Sequence, residues 1–73
     1  MSDEARAAFG KRLSSLMRAR GLTAKSICWV MGLDSSKSVM VRTWLNGKCT
    51  PSYDSLILLH RALKCEWEEL FGE

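Results

Sequence analysis

Histidine and proline each occur once in the 73 residues, cysteine occurs three times, and no two cysteines stand in a Cys-x-x-Cys pair. His60 is therefore the only imidazole available to a scattered set of serines and carboxylates. Nucleophilic catalysis needs a nucleophile, a base and an orienting partner, and no such constellation is present. We expect no enzyme and no cofactor. Cys28, Cys49 and Cys65 are odd in number and widely spaced, so neither a disulfide framework nor a metal site is expected. Their expected role is that of reduced, small apolar packers. Long apolar runs are also missing: the longest, Ile27 to Leu33, contains Gly32 and falls far short of the ~20 residues of a membrane helix. The opening Met1-Ser2-Asp3-Glu4 is acidic where a secretory signal is basic and then apolar, so a cytoplasmic location is expected. No repeat, low-complexity tract or linker divides the chain, which reads as a single domain over residues 1–73.

The composition is that of a folding globule, 47% hydrophobic and 26% charged, at a length that supports one core. Charge is unevenly placed. Residues 1–50 hold nine Lys or Arg against Asp3, Glu4 and Asp34, a balance of +6. Residues 51–73 hold Arg61 and Lys64 against five acids, a balance of −3. A basic front with an acidic tail suggests a polyanionic partner for the front, the alternative being an ordinary uneven surface.

Periodicity gives five short helices and no strand, hence an all-α fold. Ser2 is a candidate N-cap with Asp3 and Glu4 in the first turn. Ala5, Phe9, Leu13, Leu16 and Met17 then recur at helical steps until Gly21. Thr23 caps a second helix with Ile27, Cys28 and Met31 facing inward, ended by Gly32. Asp34-Ser35-Ser36-Lys37 is turn chemistry. A third helix, about Ser38 to Asn46, sets Val41 and Trp44 one turn apart on its inner face and Ser38, Arg42, Thr43 and Asn46 on the other; Gly47 stops it. Thr50-Pro51 reads as a cap followed by proline at the first helical position, opening a fourth helix with Leu56, Leu59, Leu63 and Ile57 inward. A last helix, Glu66 to Phe71, carries Trp67, Leu70 and Phe71.

Several of these features stand together in an order that resembles the lambda-repressor/Cro-like (XRE-type) helix-turn-helix DNA-binding domains, from about Phe9 to Phe71. They are Phe9-Gly10-Lys11-Arg12-Leu13, Arg20-Gly21-Leu22-Thr23, the small Cys28 where the second and third helices cross, Gly32 in the turn, Trp44-Leu45-Asn46-Gly47-Lys48 with Pro51 beyond it, and the closing stretch from Leu63. The sequence departs from that pattern at four places. The stretch from Leu33 to Val41 is about three residues long for the family and either lengthens the turn or adds a turn to helix three; a longer turn is the expectation. Ala24 replaces a common glutamine. Trp29 and Val30 stand where members are polar. For this pair, packing against the enlarged turn and Met40 is the first expectation, a protein-contact patch the second and plain exposure the third. Met17 and Leu45 occupy the positions of an arginine–glutamate pair, and an apolar swap of both partners is the replacement that leaves no buried ion unpaired.

The resemblance implies a sequence-specific transcriptional regulator, a small phage- or mobile-element-type repressor. It would read double-stranded DNA as a homodimer on a two-fold operator, with half-sites about 34 Å apart. Base contacts are expected from Ser38, Val39, Arg42, Thr43 and Asn46. Arg42 suits guanine O6 and N7, and Val39 or Met40 suits a thymine methyl. Phosphate contacts are expected from Thr23, Lys25, Lys37 and Lys48, and the dimer seam from Trp67, Leu70 and Phe71. The alternative for each contact is a solvated surface. Trp44 is expected in the core and Trp67 in the C-terminal cluster, leaving Trp29 open to other roles. Two other functions remain in view: a protein-interaction module on the same scaffold that has lost DNA binding, and the DNA-binding antitoxin or controller of a two-gene system.

Overall fold

Ser2 opens the first helix as its spacing predicts, its hydroxyl accepting the Ala5 amide at 3.1 Å ahead of Asp3 and Glu4. The computed structural model describes residues 2–72; Met1 and Glu73, counted in the readings of the N-terminus and the acidic tail, lie outside the described residues. Helix α1 (Asp3–Ala19) is followed by α2 (Ala24–Met31), capped by Thr23, whose hydroxyl accepts the Ser26 amide at 3.2 Å. Gly32 ends α2 in the left-handed region at φ 79°, and the Leu33 amide reaches back to the Cys28 carbonyl at 2.8 Å. A side chain at that φ would be strained, which is why glycine marks the stop.

The segment after Gly32 is not the longer turn that was expected. Ser35–Lys37 forms one 3-10 turn, capped by Asp34, whose carboxylate accepts the Ser36 amide at 3.2 Å. It runs without a break into α3 (Ser38–Leu45). The additional residues thus prolong the helical path in front of α3, because Asp34 supplies a cap early enough to start it.

Helix α4 (Tyr53–Leu63) begins later than the Thr50-Pro51 signal predicts. Ser52 is the cap, accepting the Ser55 amide at 3.4 Å, while Pro51 is buried outside the helix and packs rather than starts it. α4 ends at Lys64, and α5 (Trp67–Phe71) follows, with the Glu69 carboxylate accepting the Glu66 amide at 3.3 Å in a capping box. The fold is all-α, with five α-helices and no strand among the described residues. No helix among them is long and apolar enough to cross a membrane.

One continuous core gathers residues from all five helices, including Phe9, Leu13, Ile27, Cys28, Val41, Trp44, Leu59, Leu63 and Leu70. Helix α1 packs on α3 and α5, and α2 packs on α3 and α4. Ala5, placed on the buried stripe by periodicity, is exposed, since the first turn of α1 overhangs the core. Gly10 is buried instead. A Cβ there would stand 2.6 Å from the Leu45 carbonyl oxygen and 2.7 Å from that of Trp44, so α1 and the end of α3 meet backbone to backbone. Leu56 and Ile57 are half-buried.

At the other end, the Trp67 ring stacks on His60 with centroids 4.0 Å apart and planes 5° from parallel, and Phe71 follows at 5.8 Å. Two of the three cysteines behave as expected. Cys28 and Cys65 are buried, which pushes both thiols above their ordinary pKa, Cys65 with help from Glu69. Cys49 is exposed in the loop after α3 and is no packer.

Candidate nucleic-acid interface

Helix α3 is short, and two anchors fix how it faces. Val41 and Trp44, 0% and 2% exposed, turn one side into the core. A helix advances 100° per residue, so residues three or four apart share a side. Val39, Arg42 and Asn46 are accordingly exposed together along the opposite edge. Ser38, expected among the base-contacting residues, does not join them. It is 6% exposed, on the side of Val41, and is withdrawn from the outer edge. Its position three residues before Val41 and six before Trp44 is the periodic signal that marks it as inward. Thr43 is half-buried and its hydroxyl donates to the Met40 carbonyl at 2.6 Å, so that polar group is spent on its own helix. Met40 is half-buried and packs on the core.

The cations expected to flank this edge are all at the surface. Lys37 closes the 3-10 turn at the N-terminal end of α3, where no side chain caps the helix. Lys48 lies past the other end. Its amide and that of Cys49 both donate to the Thr43 carbonyl, at 3.0 and 3.3 Å, which folds the loop back against α3. Lys25 is exposed in the first turn of α2. Thr23 is exposed too, but its hydroxyl is engaged in the α2 cap and in a 3.0 Å contact with the Ser26 hydroxyl. Together, Lys37, Arg42 and Lys48 place a cation before, along and after one helix.

Trp29 does not pack against the 3-10 turn and Met40 as first expected. It is 81% exposed and Val30 is 46% exposed, because both lie on the side of α2 away from its buried Ile27, Cys28 and Met31. Met17 and Leu45, the apolar pair, line one shallow depression with Leu22, Ala24 and Arg18, between α1, the start of α2 and the end of α3. The expected seam also changes. Leu70 is 0% exposed and belongs to the chain's own core, leaving Trp67 and Phe71, 39% and 37% exposed, at the surface.

Two residues with structural work escaped the sequence reading. Gly10 is one; a glycine inside a helix pattern is itself a sign of close backbone approach. Arg20 is the other. Its guanidinium donates to the carbonyls of Leu63 and Leu16, tying the end of α1 to the end of α4, a link between distant segments that no local pattern reveals. No group of three or more metal-ligating side chains occurs among the described residues. The comparisons add no relative: no protein-family model, curated protein or solved structure matches the chain.

Proposed function

We propose that this chain is a sequence-specific double-stranded DNA-binding regulator of the lambda-repressor-like helix-turn-helix type, acting by binding rather than catalysis. The observation that carries the reading is the exposed edge of α3, with Val39, Arg42 and Asn46 in one row and Lys37 and Lys48 at its ends. A helix presented this way fits a major groove about 12 Å wide. Arg42 then takes the O6 and N7 of a guanine, and Val39 packs on a neighbouring thymine methyl. Lys25, Lys37 and Lys48 hold phosphates and set the register without reading sequence. A two-fold homodimer doubles the contacts on a symmetric operator.

The test is a titration against random and operator-containing duplex at several salt concentrations. Log affinity should fall linearly with log salt, with a slope of about −0.9 for each phosphate contact. Absent or salt-insensitive binding refutes the proposal. A second reading, a protein-interaction module on the same scaffold, is favoured by one observation, the outward display of Trp29 beside Val30.

A further inference from the structure

Where the ends of α1, α2 and α4 come together lies an open groove of about 370 Å³, lined by Arg20, Leu22, Val30, Ala62, Leu63 and Lys64. Its floor is apolar, both charges on its rim are positive, and no carboxylate lines it. The acids that follow it in the chain, Glu66 and Glu69, are engaged with each other's backbone in the capping box of α5. Trp29, next to Val30 on the outward side of α2, is 81% exposed, so a ligand that fills the groove and reaches over α2 meets an indole.

The two cations are held in different ways. The Arg20 guanidinium donates to the Leu63 and Leu16 carbonyls, which fixes it at the rim, and its remaining N–H groups are left for an acceptor. Lys64 has a left-handed φ of 51°, and the other described residues with positive φ, Gly21, Gly32, Gly47 and Gly72, are all glycines. Helices commonly end on glycine at such a position because a side chain is strained there. Glycine would end α4 with less strain, yet the chain keeps a cation there. Neither Arg20 nor Lys64 forms an ion pair among the described residues.

We propose that this groove docks an acidic amphipathic segment of another protein. Its apolar side chains lie on Leu22, Val30 and Ala62, its carboxylates meet Arg20 and Lys64, and Trp29 stands at the edge of the contact. Charge complementarity selects the partner, because an apolar floor between two unpaired cations is matched by apolar residues flanked by acids. A duplex backbone would satisfy the cations but has little to lay on the floor or against the indole, whereas tryptophan and arginine are the side chains that most often anchor protein contacts. The inference rests on the protein-interaction reading and deepens it by naming the partner's chemistry. No residue of α3 lines the groove, so its occupation is separate from DNA binding along Val39, Arg42 and Asn46.

Selection on the full chain from a random library of displayed peptides, about 12 residues long and so ~18 Å as a helix, tests it. Peptides that combine Asp or Glu with Leu, Ile or aromatic residues should be enriched, and synthetic copies of them should bind more weakly as salt rises. Lys64→Gly should weaken an enriched peptide about threefold to fivefold, and Lys64→Glu about tenfold or more. The thermal midpoint of Lys64→Gly should hold or rise as strain is relieved, which separates lost binding from misfolding. A peptide copy with its acids changed to lysine should bind the Lys64→Glu chain better than the original peptide does. Trp29→Ala should weaken binding about fivefold or more. Enrichment of neutral or basic peptides instead, or of acidic ones indifferent to the Lys64 and Trp29 variants, overturns the groove and leaves an interaction module of another kind. No enrichment at all overturns both. Displacement of the peptide by random duplex from the wild-type chain, but not from Lys64→Gly, assigns the groove to nucleic acid and likewise overturns the inference.

Discussion

Helices α2 and α3 are each eight residues long and lay a buried stripe against the same core, yet they turn opposite kinds of surface outward. α3 shows Arg42 and Asn46 with Val39, while α2 shows Trp29 and Val30 with Lys25. Their supports differ as well. α2 carries its own caps, Thr23 before it and left-handed Gly32 after it. α3 is likewise followed by a left-handed glycine, Gly47, but its own first turn has no side-chain cap, the nearest being Asp34 ahead of the 3-10 turn, and its facing is set by Trp44 and Val41 in the core and by α1 at Gly10. Local signals bound both helices, and packing at Trp44 and Gly10 is what aims α3. A surface that must present one fixed edge to a partner is better held by packing, because a buried tryptophan fixes rotation about the helix axis and a terminal cap does not.

The contrast can be broken at its strongest point. Trp44→Ala should cost about 3–5 kcal/mol in denaturant unfolding, because it removes a nearly fully buried indole and the anchor of α3 together. Gly10→Ala comes next. Its new methyl meets the Trp44 and Leu45 carbonyls, and the forced separation of α1 from α3 should cost about 1–3 kcal/mol. Thr23→Ala should cost about 1 kcal/mol through the lost α2 cap, with α3 still in place by near-ultraviolet dichroism of Trp44. Trp29→Ala, the same substitution as the first but on the outer side of α2, should change stability by less than about 0.5 kcal/mol. A large loss at Trp29 or a small one at Trp44 would remove the distinction between the two helices.

The same division explains what the residue pattern could disclose. Thr23, Gly32 and the Ile27, Cys28, Met31 stripe act within one helix, and each performs the role its spacing predicts. Val41 and Trp44 were legible for the same reason. The polarity of Ser38 suggests an outward position, but its helical phase puts it beside Val41, and it is buried. Thr50-Pro51 points to a helix start because a buried proline outside a helix looks locally like one that opens it, and burial of Pro51 is a tertiary fact. The displacement of Leu70 from the expected seam is of that kind too, as is the tie from Arg20 to Leu63, which joins residues far apart in the chain. At the candidate interface, Val39, Arg42, Asn46, Lys25, Lys37 and Lys48 could all be named from sequence. Which hydroxyls remain free could not, since Thr43 and Thr23 spend theirs on nearby backbone.

If the outer edge of α3 reads bases while the lysines at its ends hold the backbone, two variants compared side by side separate the two roles. Affinities of Arg42→Ala and Lys48→Ala are measured on an operator selected from a random pool and on unrelated duplex, at one salt concentration. Arg42→Ala should lose about 1–3 kcal/mol on the operator and much less on unrelated duplex, while Lys48→Ala should weaken both alike and lower the salt slope by about one contact. Equal losses from the two variants on both duplexes, or no selectable operator at all, would contradict this division of roles.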